Sequence, residues 1–496
     1  PEANAIPVLG DETISVTLET PVYTSDEQAA STYEKIWTSL RSGASLRLCF
    51  NSSGKLEYIY MPSKTASVSD DNVLVAKNKP TGSNNPFASL SGGKTPAQIY
   101  KNGIPAELSD LRQYDVGTYD KSSDTLFVSD LKLSGLYENA YPNAAAPSTV
   151  TVMGAKPTVL PSAQADLAAF KVGDKVTLLL TTTGQVAGAV SPDVAKSNAV
   201  GVATVDGTKA TIELLDGILT LEGQTTYSGA AAAKLNGCLV TVSSYKRDYL
   251  TLSKVNGKGA STALNLTTNR MGTKELSAGA RFFEQVGNGR LVEIDRSDIT
   301  ITSIPANKIT YVGYDWAGRV DKLVLNDVTG DRYDYGIIHY QPAGYQETPG
   351  NPNGNGEYKN GEISVTNGSF PKGMTPYVVG SVDGAKTNRM GGVAGSLDQL
   401  DGQNRMAAFM PLNEAKGIRR AQFDTDAMLL TTNSMVIPIS DAVECYNKTT
   451  GDWFKPGEDG DHKAALNLAL AFSDDITVYY DRSPEEGGKV RIVVVE

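Results

Sequence analysis

Two short acidic runs hold the side chains with the most specific chemistry in this sequence. The run DVTGDRYD contains Asp327, Asp331 and Asp334, and the run GEDGD contains Glu458, Asp459 and Asp461. Hard cations such as Ca²⁺ prefer clustered carboxylate oxygens, although aspartate and glycine also collect in turns for backbone reasons alone. An ordinary turn is the favoured interpretation of each run. We therefore predict no cofactor, with calcium as the open alternative.

An asparagine-rich segment has the residue spacing of an EF-hand loop. The matching positions are Asn351, Asn353, Asn355, Gly356 and Glu362. The first three are neutral amides and no helical pattern flanks them, whereas an EF-hand loop draws on carboxylates and lies between two helices. An exposed loop is favoured over a metal site.

The motif that comes nearest to a catalytic signature lacks the required context. Residues 243–246 read SSYK and match S-x-x-K, in which a serine at a helix start transfers its proton to the lysine one turn later. Here the local pattern predicts a hairpin turn, and no K-T-G partner follows. The chain has only two histidines, His339 and His462, which argues against multi-histidine zinc sites. We predict no catalytic residue and no enzyme activity.

The three cysteines, Cys49, Cys238 and Cys445, are widely separated in the sequence. A free cysteine behaves as a small apolar side chain, and Cys49 and Cys238 both lie in apolar runs. We predict buried single thiols and no disulfide framework.

Charge and hydropathy restrict the partners. The 496 residues have a formal net charge of −11 without long blocks of one sign, whereas nucleic-acid binding needs a concentrated basic patch. No apolar run approaches the roughly 18 residues that span a membrane. We expect neither nucleic acid nor membrane insertion.

A β-hairpin pattern recurs four times along the chain. Each copy has a β-run, a polar turn, a glycine, a long polar side chain and a second β-run. The copies begin at Ser45, Lys175, Lys308 and Asp475, and their turn glycines are Gly54, Gly184, Gly318 and Gly488. Glycine suits a tight hairpin turn because it adopts positive φ at little cost. The number of residues between successive copies is typical of whole domains and is longer than the period of solenoid repeats.

Other elements precede each hairpin. Short helical patterns cover Asp26–Ser42, Ser162–Phe170 and His462–Phe472, whereas Arg296–Pro305 before the third hairpin is β-like. Strand–turn–strand patterns occupy 114–131 and 237–255. Strands, a helix and a closing hairpin in this order resemble a small five-stranded barrel. The predicted fold is mostly β, with tandem small β-barrel modules of the OB- or SH3-like sort, each with a short helix before a closing β-hairpin.

Cuts near residues 93, 197 and 330 divide the chain into four predicted modules. Residues 1–92 form a truncated N-terminal module with one helix and a linker-like tail, 93–196 and 197–329 form two fuller modules, and 330–496 form the last. The last module contains a Gly/Pro/Asn-rich loop insert at 341–361. The sequence opens at Pro1 without a signal-like segment, so we expect it to be a piece of a longer protein.

Several of these β-motifs together resemble a family of bacterial surface proteins. They are TLFVSDLKLSGLYENAYPN, PSTVTVMG, GDKVTLLLTTTGQVAG, NDVTGDRYDYGII, PISDAVECYNKTTGDW and TVYYDRSPEEGGKVRIVVVE. Over most of its length the chain resembles the non-anchor β-rich region of S-layer-homology-domain-containing cell-surface proteins of Gram-positive (Firmicutes) gut bacteria. The anchoring S-layer homology repeat itself is not found in this sequence.

The resemblance implies a secreted, extracellular protein of the cell surface or cell wall. We expect a non-catalytic structural protein, an S-layer or surface-assembly component, whose partners are copies of itself or other envelope components. The alternative is an adhesin or glycan-binding module, because aromatic side chains stack on sugars. The aromatic candidates are Trp316 in a hairpin turn, Trp453 and the tyrosine-rich stretch Tyr333–Tyr345, whereas Trp37 is expected in the core.

Overall fold

The structure is a computed structural model that describes residues 5–7, 13–24, 31–37, 47–51, 55–61, 72–80, 84–121, 123–225, 235–255, 260–347, 356–400, 402–457 and 460–496. It is mostly β, as predicted, with short helices and several small sheets. The chain divides into two compact units. The first is Pro1–Ala199 with Ser244–Arg247, and the second is Val200–Ser243 with Asp248–Glu496.

The first unit is built from small, mainly antiparallel sheets. In chain order its strands are β1 (Ala5–Pro7), β2 (Thr13–Ser15), β3 (Pro21–Thr24), β4 (Ser31–Thr32), β5 (Arg47–Phe50), β6 (Leu56–Met61), β7 (Val73–Val75), β8 (Gln98–Lys101), β9 (Ile104–Pro105), β10 (Val116–Asp120), β11 (Thr125–Ser129), β12 (Lys132–Tyr141), β13 (Thr149–Val152), β14 (Lys175–Leu180) and β15 (Val186–Val190). Its helices are α1 (Tyr33–Ile36) and α2 (Gln164–Leu167). Within the residues described, the sheet orders are β1-β2, β4-β3-β6-β5, β7-β10-β11-β8-β9 and β13-β12-β14-β15.

Both predicted hairpins of the first unit are confirmed. β5 pairs antiparallel with β6, and β14 pairs antiparallel with β15. Gly184 has a φ of 81° in the second turn, which explains the glycine there, whereas Gly54 lies outside the described residues. α1 and α2 lie within the two predicted helical segments but are shorter than the patterns. The strand β4 directly precedes α1, and a 3₁₀ turn at Pro161–Ala163 directly precedes α2. Most of Asp26–Ser42 is outside the described residues.

The second unit contains the remaining strands. They are β16 (Ala199–Asp206), β17 (Lys209–Leu214), β18 (Thr220–Thr225), β19 (Leu239–Lys246), β20 (Tyr249–Lys254), β21 (Leu264–Asn265), β22 (Arg270–Met271), β23 (Lys274–Gln285), β24 (Val292–Ile294), β25 (Ser303–Ile304), β26 (Ile309–Tyr314), β27 (Val320–Asn326), β28 (Asp334–Gln341), β29 (Gly344–Glu347), β30 (Gly356–Lys359), β31 (Gly361–Thr366), β32 (Tyr377–Val379), β33 (Met390–Leu400), β34 (Gln403–Pro411), β35 (Asn413–Ile418), β36 (Phe423–Asp424), β37 (Leu429–Thr431), β38 (Val436–Asn447), β39 (Asp452–Phe454), β40 (Ile476–Tyr480) and β41 (Val490–Val495). Among its described residues the α-helix is α3 (His462–Phe472). The ends of β16 and β19 group with the first unit.

Two sets of five strands in this part of the chain form closed barrels with the same strand order. The orders are β16-β17-β18-β20-β19 and β28-β31-β32-β34-β33. Numbered within each barrel, the order is 1-2-3-5-4, and the third strand runs parallel to the fifth. Small closed barrels are therefore present, but the four predicted closing hairpins belong to other sheets. The relation of the barrels to OB or SH3 domains stays a prediction.

Two further sheets share a second plan. In the sheet of β21–β27 the long strand β23 runs parallel to β27, and in the sheet of β35–β41 the long strand β38 runs parallel to β41. Both long strands break register between corresponding positions, Leu276/Arg281 and Ile439/Glu444. The hairpins β26–β27 and β40–β41 are the predicted third and fourth copies.

The helix α3 begins and ends where the sequence pattern predicted. The Asp461 side chain caps it by accepting a hydrogen bond of 3.2 Å from the Ala464 amide, a standard way to satisfy an N-terminal N–H. Its buried residues are Ala465, Leu466, Ala469 and Leu470. They belong to the same apolar core as β38, β40 and β41, so α3 covers one face of that sheet.

Three local predictions were wrong. In the fourth hairpin the left-handed residue is Gly487, with a φ of 81°, and not Gly488. Gly488 is needed for a different reason, because a Cβ there would lie 1.9 Å from the Arg482 carbonyl oxygen. Residues 243–246 lie in β19 and not in a turn, since the alternation of buried residues continues through Ser244. The segment Arg296–Pro305 contains a 3₁₀ turn at Arg296–Asp298, which caps itself through Asp295 and Asp298, and only the two-residue strand β25.

Candidate functional site

The first acidic run lies between β27 and β28, and its carboxylates have separate environments. Asp327 accepts a hydrogen bond from Arg482. Asp331 accepts one from Arg491 at 2.5 Å. Asp334, the first residue of β28, lines a cleft described below. Two of the three carboxylates proposed for calcium are therefore partners of arginines.

Arg491, on β41, is the centre of a buried ion-pair network. Its side chain is 1% exposed, and it donates to Asp481 from Nη2 at 2.8 Å and from Nε at 3.0 Å. Nη1 also donates to Ser440, and Nη2 donates to the Thr329 carbonyl at 2.6 Å. Burial alone would lower the pKa of Arg491, but the surrounding acidic groups raise it above its ordinary value. The guanidinium is therefore a permanent cation.

Asp331 joins this network from the segment before β28. Lys489 adds a second cation, with Nζ 2.8 Å from Asp331 Oδ2. Burial alone would raise the pKa of Asp331, but Arg491 and Lys489 together hold it below the ordinary value. The carboxylate is therefore ionised and bound at neutral pH.

Gly330 allows the segment to approach Arg491 closely. It has a φ of 73°, and a Cβ there would lie 2.3 Å from Asp481 Oδ2 and 2.5 Å from Arg491 Nη2. The Tyr335 hydroxyl donates to the Gly330 carbonyl at 2.8 Å, and the Arg491 guanidinium lies 5.0 Å from the Tyr335 ring centroid. Glycine is required at this position for both space and conformation.

The same segment is bound from its other side by Glu284 on β23. Glu284 is fully buried and accepts hydrogen bonds from the Val328 amide, the Thr329 amide at 2.7 Å and the Thr329 hydroxyl. We call the segment 327–334, together with Glu284, Asp481 and Arg491, the junction. It connects the sheet of β21–β27 to the sheet of β35–β41 through buried charges.

A cleft of about 330 Å³ lies beside the junction. Its lining residues come from the 3₁₀ turn at Arg296–Asp298, the segment 331–335, the loop after β31, the strand β38, the start of α3 and residues 489–491. They are Asp298, Asp331, Tyr333, Asp334, Tyr335, Asn367, Ser369, Phe370, Ser440, Asp441, Ala442, Glu444, His462, Lys489 and Arg491.

Glu444 is the most deeply buried carboxyl group of the cleft that lacks a cation. It is 5% exposed, and its Oε2 accepts a hydrogen bond of 2.8 Å from the Gly368 amide. A Cβ on Gly368 would lie 2.9 Å from Oε2, so the glycine permits this contact. Burial raises the pKa of Glu444 to about 7, although the Gly368 amide opposes this shift. Glu444 therefore changes its charge near neutral pH.

His462, the first residue of α3, lies next to Glu444 without forming a hydrogen bond to it. Its Nδ1 donates to the Val443 carbonyl at 3.1 Å and lies 3.9 Å from Glu444 Oε1. Burial lowers the pKa of His462. The imidazole is therefore neutral at pH 7 and does not supply the missing positive charge.

Two other carboxyl groups of the cleft, Asp334 and Asp441, are more exposed than Glu444. Burial also raises the pKa of Asp334, although Arg332 opposes the shift. Asp441 is exposed, and Phe370 presents an aromatic ring that is 42% exposed. The cleft thus combines acidic groups without bound cations and one accessible ring.

The remaining calcium candidates that the structure describes have separate positions. Asp461 is the cap of α3, Glu362 lies in β31, and Gly356 begins β30. The other candidates, Glu458, Asp459, Asn351, Asn353 and Asn355, lie outside the described residues. Among the residues that are described, no group of three His, Cys, Asp or Glu side chains is placed to hold a metal ion.

The described aromatic rings considered for glycan binding are partly or fully buried against other side chains. Trp316 is half-buried in the β26–β27 turn, with the Arg319 guanidinium 4.9 Å from its ring centroid. Trp453 packs on Tyr446 at 4.9 Å. Trp37 packs against the core around Val22, as predicted. Tyr333 and Tyr335 are buried, so the tyrosine-rich stretch does not present both of these rings to solvent.

The remaining chemical candidates have structural environments. Cys238 and Cys445 are buried, as predicted, whereas the Cys49 side chain is outside the described set. Ser244 is buried and accepts a hydrogen bond of 2.9 Å from the Leu136 amide. A serine held in a strand lacks the helix start that S-x-x-K chemistry uses.

Sequence reasoning missed Glu284, Glu444 and Arg491. Two of them have a visible signal, because Arg491 interrupts the apolar strand VRIVVV and Glu444 lies within the apolar run AVEC. Charged residues are seldom buried unless they are paired. A charge inside a predicted core strand is therefore a usable indication of a buried polar site.

No protein-family model, no curated protein and no solved structure matches the chain. Within the described segments, no helix combines the length and the apolar character that crossing a bilayer requires.

Proposed function

We propose that this chain is a non-catalytic structural component of a bacterial cell envelope, exposed at the cell surface as part of an S-layer or similar surface assembly. The observation that carries the proposal is the junction, in which buried charges hold successive β-modules together. The resemblance to β-rich regions of cell-surface proteins supports the same function.

The junction suits an architectural function because it is costly to open. Removing one member of a buried ion pair costs about 3–5 kcal/mol, since the other charge stays buried without a partner. Glu284 binds the segment from one sheet, and Asp481 and Arg491 bind it from the other. Two modules joined in this way move as one body, which is the mechanical property that a surface layer needs.

The modules themselves fit the proposal. The shared 1-2-3-5-4 order of the two closed barrels, with parallel third and fifth strands, is compatible with an OB-like Greek-key barrel. We propose that the barrels are OB-like and that they serve here as building blocks. Small closed barrels suit a surface protein because closure removes unpaired strand edges.

Association between copies would use the edges that remain. β26 is the last strand of its sheet, and Tyr314 on it is 53% exposed. An unpaired edge strand offers backbone hydrogen bonds to another chain. Copies of this chain, or other envelope proteins, are the partners that this edge would accept, with calcium as a candidate bridging ion.

Negative-stain electron microscopy of the purified chain at high concentration, with calcium and again with chelator, tests the proposal. Ordered sheets or filaments support it, and their loss in chelator would assign a role to calcium. Discrete particles in both conditions contradict it.

A pair of matched variants tests whether the edge strand β26 forms the contact between copies. Tyr314→Lys places a charge on the edge strand β26, whereas Tyr141→Lys changes a tyrosine that is 69% exposed on β12, a strand inside its sheet. Assemblies lost in the first variant and kept in the second would identify β26 as the contact.

A further inference from the structure

We propose that the cleft beside the junction binds a primary ammonium group at the end of a short chain, with Glu444 as its charged partner and Asp334 and Phe370 as further contacts. This site is additional to the structural function proposed above and does not depend on it.

The charges of the cleft favour a cation. The titratable and charged groups that face it are Asp298, Asp331, Tyr333, Asp334, Tyr335, Asp441, Glu444, His462, Lys489 and Arg491. The two basic side chains are already neutralised by Asp331 and Asp481. His462 is neutral because burial lowers its pKa. Glu444, which lies next to His462 at the start of α3, therefore has no cationic partner among these groups. Arg332 acts on the neighbouring Asp334.

Glu444 supplies the independent observation that points to a ligand. Its side chain is 6% exposed, and no described residue donates a hydrogen bond to its Oε1. His462 Nδ1 lies 3.9 Å from Oε1 and donates to the Val443 carbonyl instead. A buried carboxylate without a cation is unfavourable, so it takes up a proton or binds a cation from solution.

An ammonium ion fits the cleft better than a metal ion does. Among the described residues no three His, Cys, Asp or Glu side chains are grouped to hold a metal ion, whereas an ammonium group needs only two or three separate acceptors. Glu444 Oε1 and the Asp334 carboxylate are such acceptors. Phe370 provides an exposed aromatic ring, and ring faces attract ammonium groups. The volume of about 330 Å³ admits a small head group and its chain.

Binding should be coupled to proton release. The pKa of Glu444 is about 7, so the carboxyl is largely protonated at pH 6 and largely ionised at pH 8. A lysine-type ammonium keeps its charge throughout, since its pKa is about 10.4. The affinity should therefore be about tenfold higher at pH 8 than at pH 6.

Calorimetric titration of the full chain with Nα-acetyl-lysinamide tests the inference, with the Nε-acetylated compound as the uncharged control. We expect binding of the amine only, with the stated pH dependence. No binding up to about 20 mM, equal binding of the acetylated control, or an affinity that does not depend on pH would each overturn it. Displacement of the amine by an equal concentration of calcium would also overturn it, because the cleft would then be a metal site.

Variants locate the binding. Glu444→Gln keeps the acceptor for the Gly368 amide and should weaken binding at pH 8 by tenfold or more. Asp452→Asn removes an exposed charge elsewhere and should leave the affinity unchanged. Equal losses in both variants would overturn the assignment to the cleft. The signal of His462 in NMR spectra should move on binding to the parent chain.

The source of the ammonium group is distinguished by a second probe. Glucosamine is compared with N-acetylglucosamine at pH 7, alongside the lysine pair. Stronger binding of the lysine compound supports the proposed ligand, an ammonium group at the end of a short alkyl chain. Stronger binding of glucosamine overturns that proposal, because the ligand would then be an amino sugar.

Discussion

Arg491 Nη2 lies 2.8 Å from Asp481 Oδ2, and neither side chain exposes more than 1% of its surface. A charge pair this deeply buried is not needed to fill a core, because a protein with apolar residues of similar volume in its place is often equally stable or more stable. Its effect is to fix where the junction segment lies, since Asp331 and the Thr329 carbonyl bind the same guanidinium.

Replacing Arg491 tests how strongly the junction depends on it. Arg491→Met keeps most of the side-chain volume but leaves Asp331 and Asp481 without their shared cation. We expect the free energy of unfolding to fall by about 3–5 kcal/mol, measured by urea denaturation at pH 7. Lys448→Met, which removes the exposed Lys448–Glu496 pair, should leave the midpoint unchanged. Similar effects of the two substitutions would contradict the assignment.

Gly330→Ala should destabilise the chain through two separable effects. The substitution strains a backbone at φ 73° and places a methyl group 2.3 Å from Asp481 Oδ2. Gly402→Ala is the matched control, because Gly402 has a φ of 79° but no atom within 4 Å of the added carbon. The control should lose about 1–2 kcal/mol from strain alone, and Gly330→Ala should lose clearly more in the same denaturation experiment.

Glu444 should make stability fall as the pH rises. Its pKa in the folded chain, about 7, is above the value of 4.5 for an unperturbed glutamate. The folded state therefore holds this proton more tightly, and the associated stability is complete below pH 4.5 and is lost as the pH rises through 7. Relative to Glu444→Gln, the parent should lose up to about 3 kcal/mol between pH 5 and pH 8. Parallel pH profiles of the two proteins would show that Glu444 is not the group responsible.

The cap of α3 gives a smaller and more local effect. Asp461→Ala removes the acceptor for the Ala464 amide and should cost about 1 kcal/mol. Asn467→Ala, at an exposed position of the same helix, should instead be neutral or slightly stabilising, because alanine has the higher helix propensity. Thermal unfolding followed by circular dichroism compares the two.

The sequence predicts local elements well and distant contacts poorly. The four hairpins and α3 were predicted because a polar turn between two β-runs, or an apolar face behind a capping residue, is encoded within about 20 residues. The junction was not predicted, since its main contact joins Asp331 to Arg491 across 160 residues. The acidic run around Asp331 indicates a group of carboxylates that need positively charged partners. A metal ion and an arginine can each be that partner, and only the fold shows which one lies nearby.

The order of the strands also has a consequence for synthesis. β41 lies between β38 and β40 in its sheet, and it carries the guanidinium that neutralises Asp331. A ribosome that adds roughly 5–20 residues per second makes Asp331 about 8–30 seconds before Arg491. During that interval Asp331 has no counterion, and towards its end β38 lacks its parallel neighbour and Asp481 lacks Arg491. The sheet of β35–β41 can therefore complete its fold only after β41 has been synthesised. Until then, the unpaired edge of β38 must be kept from associating with other chains.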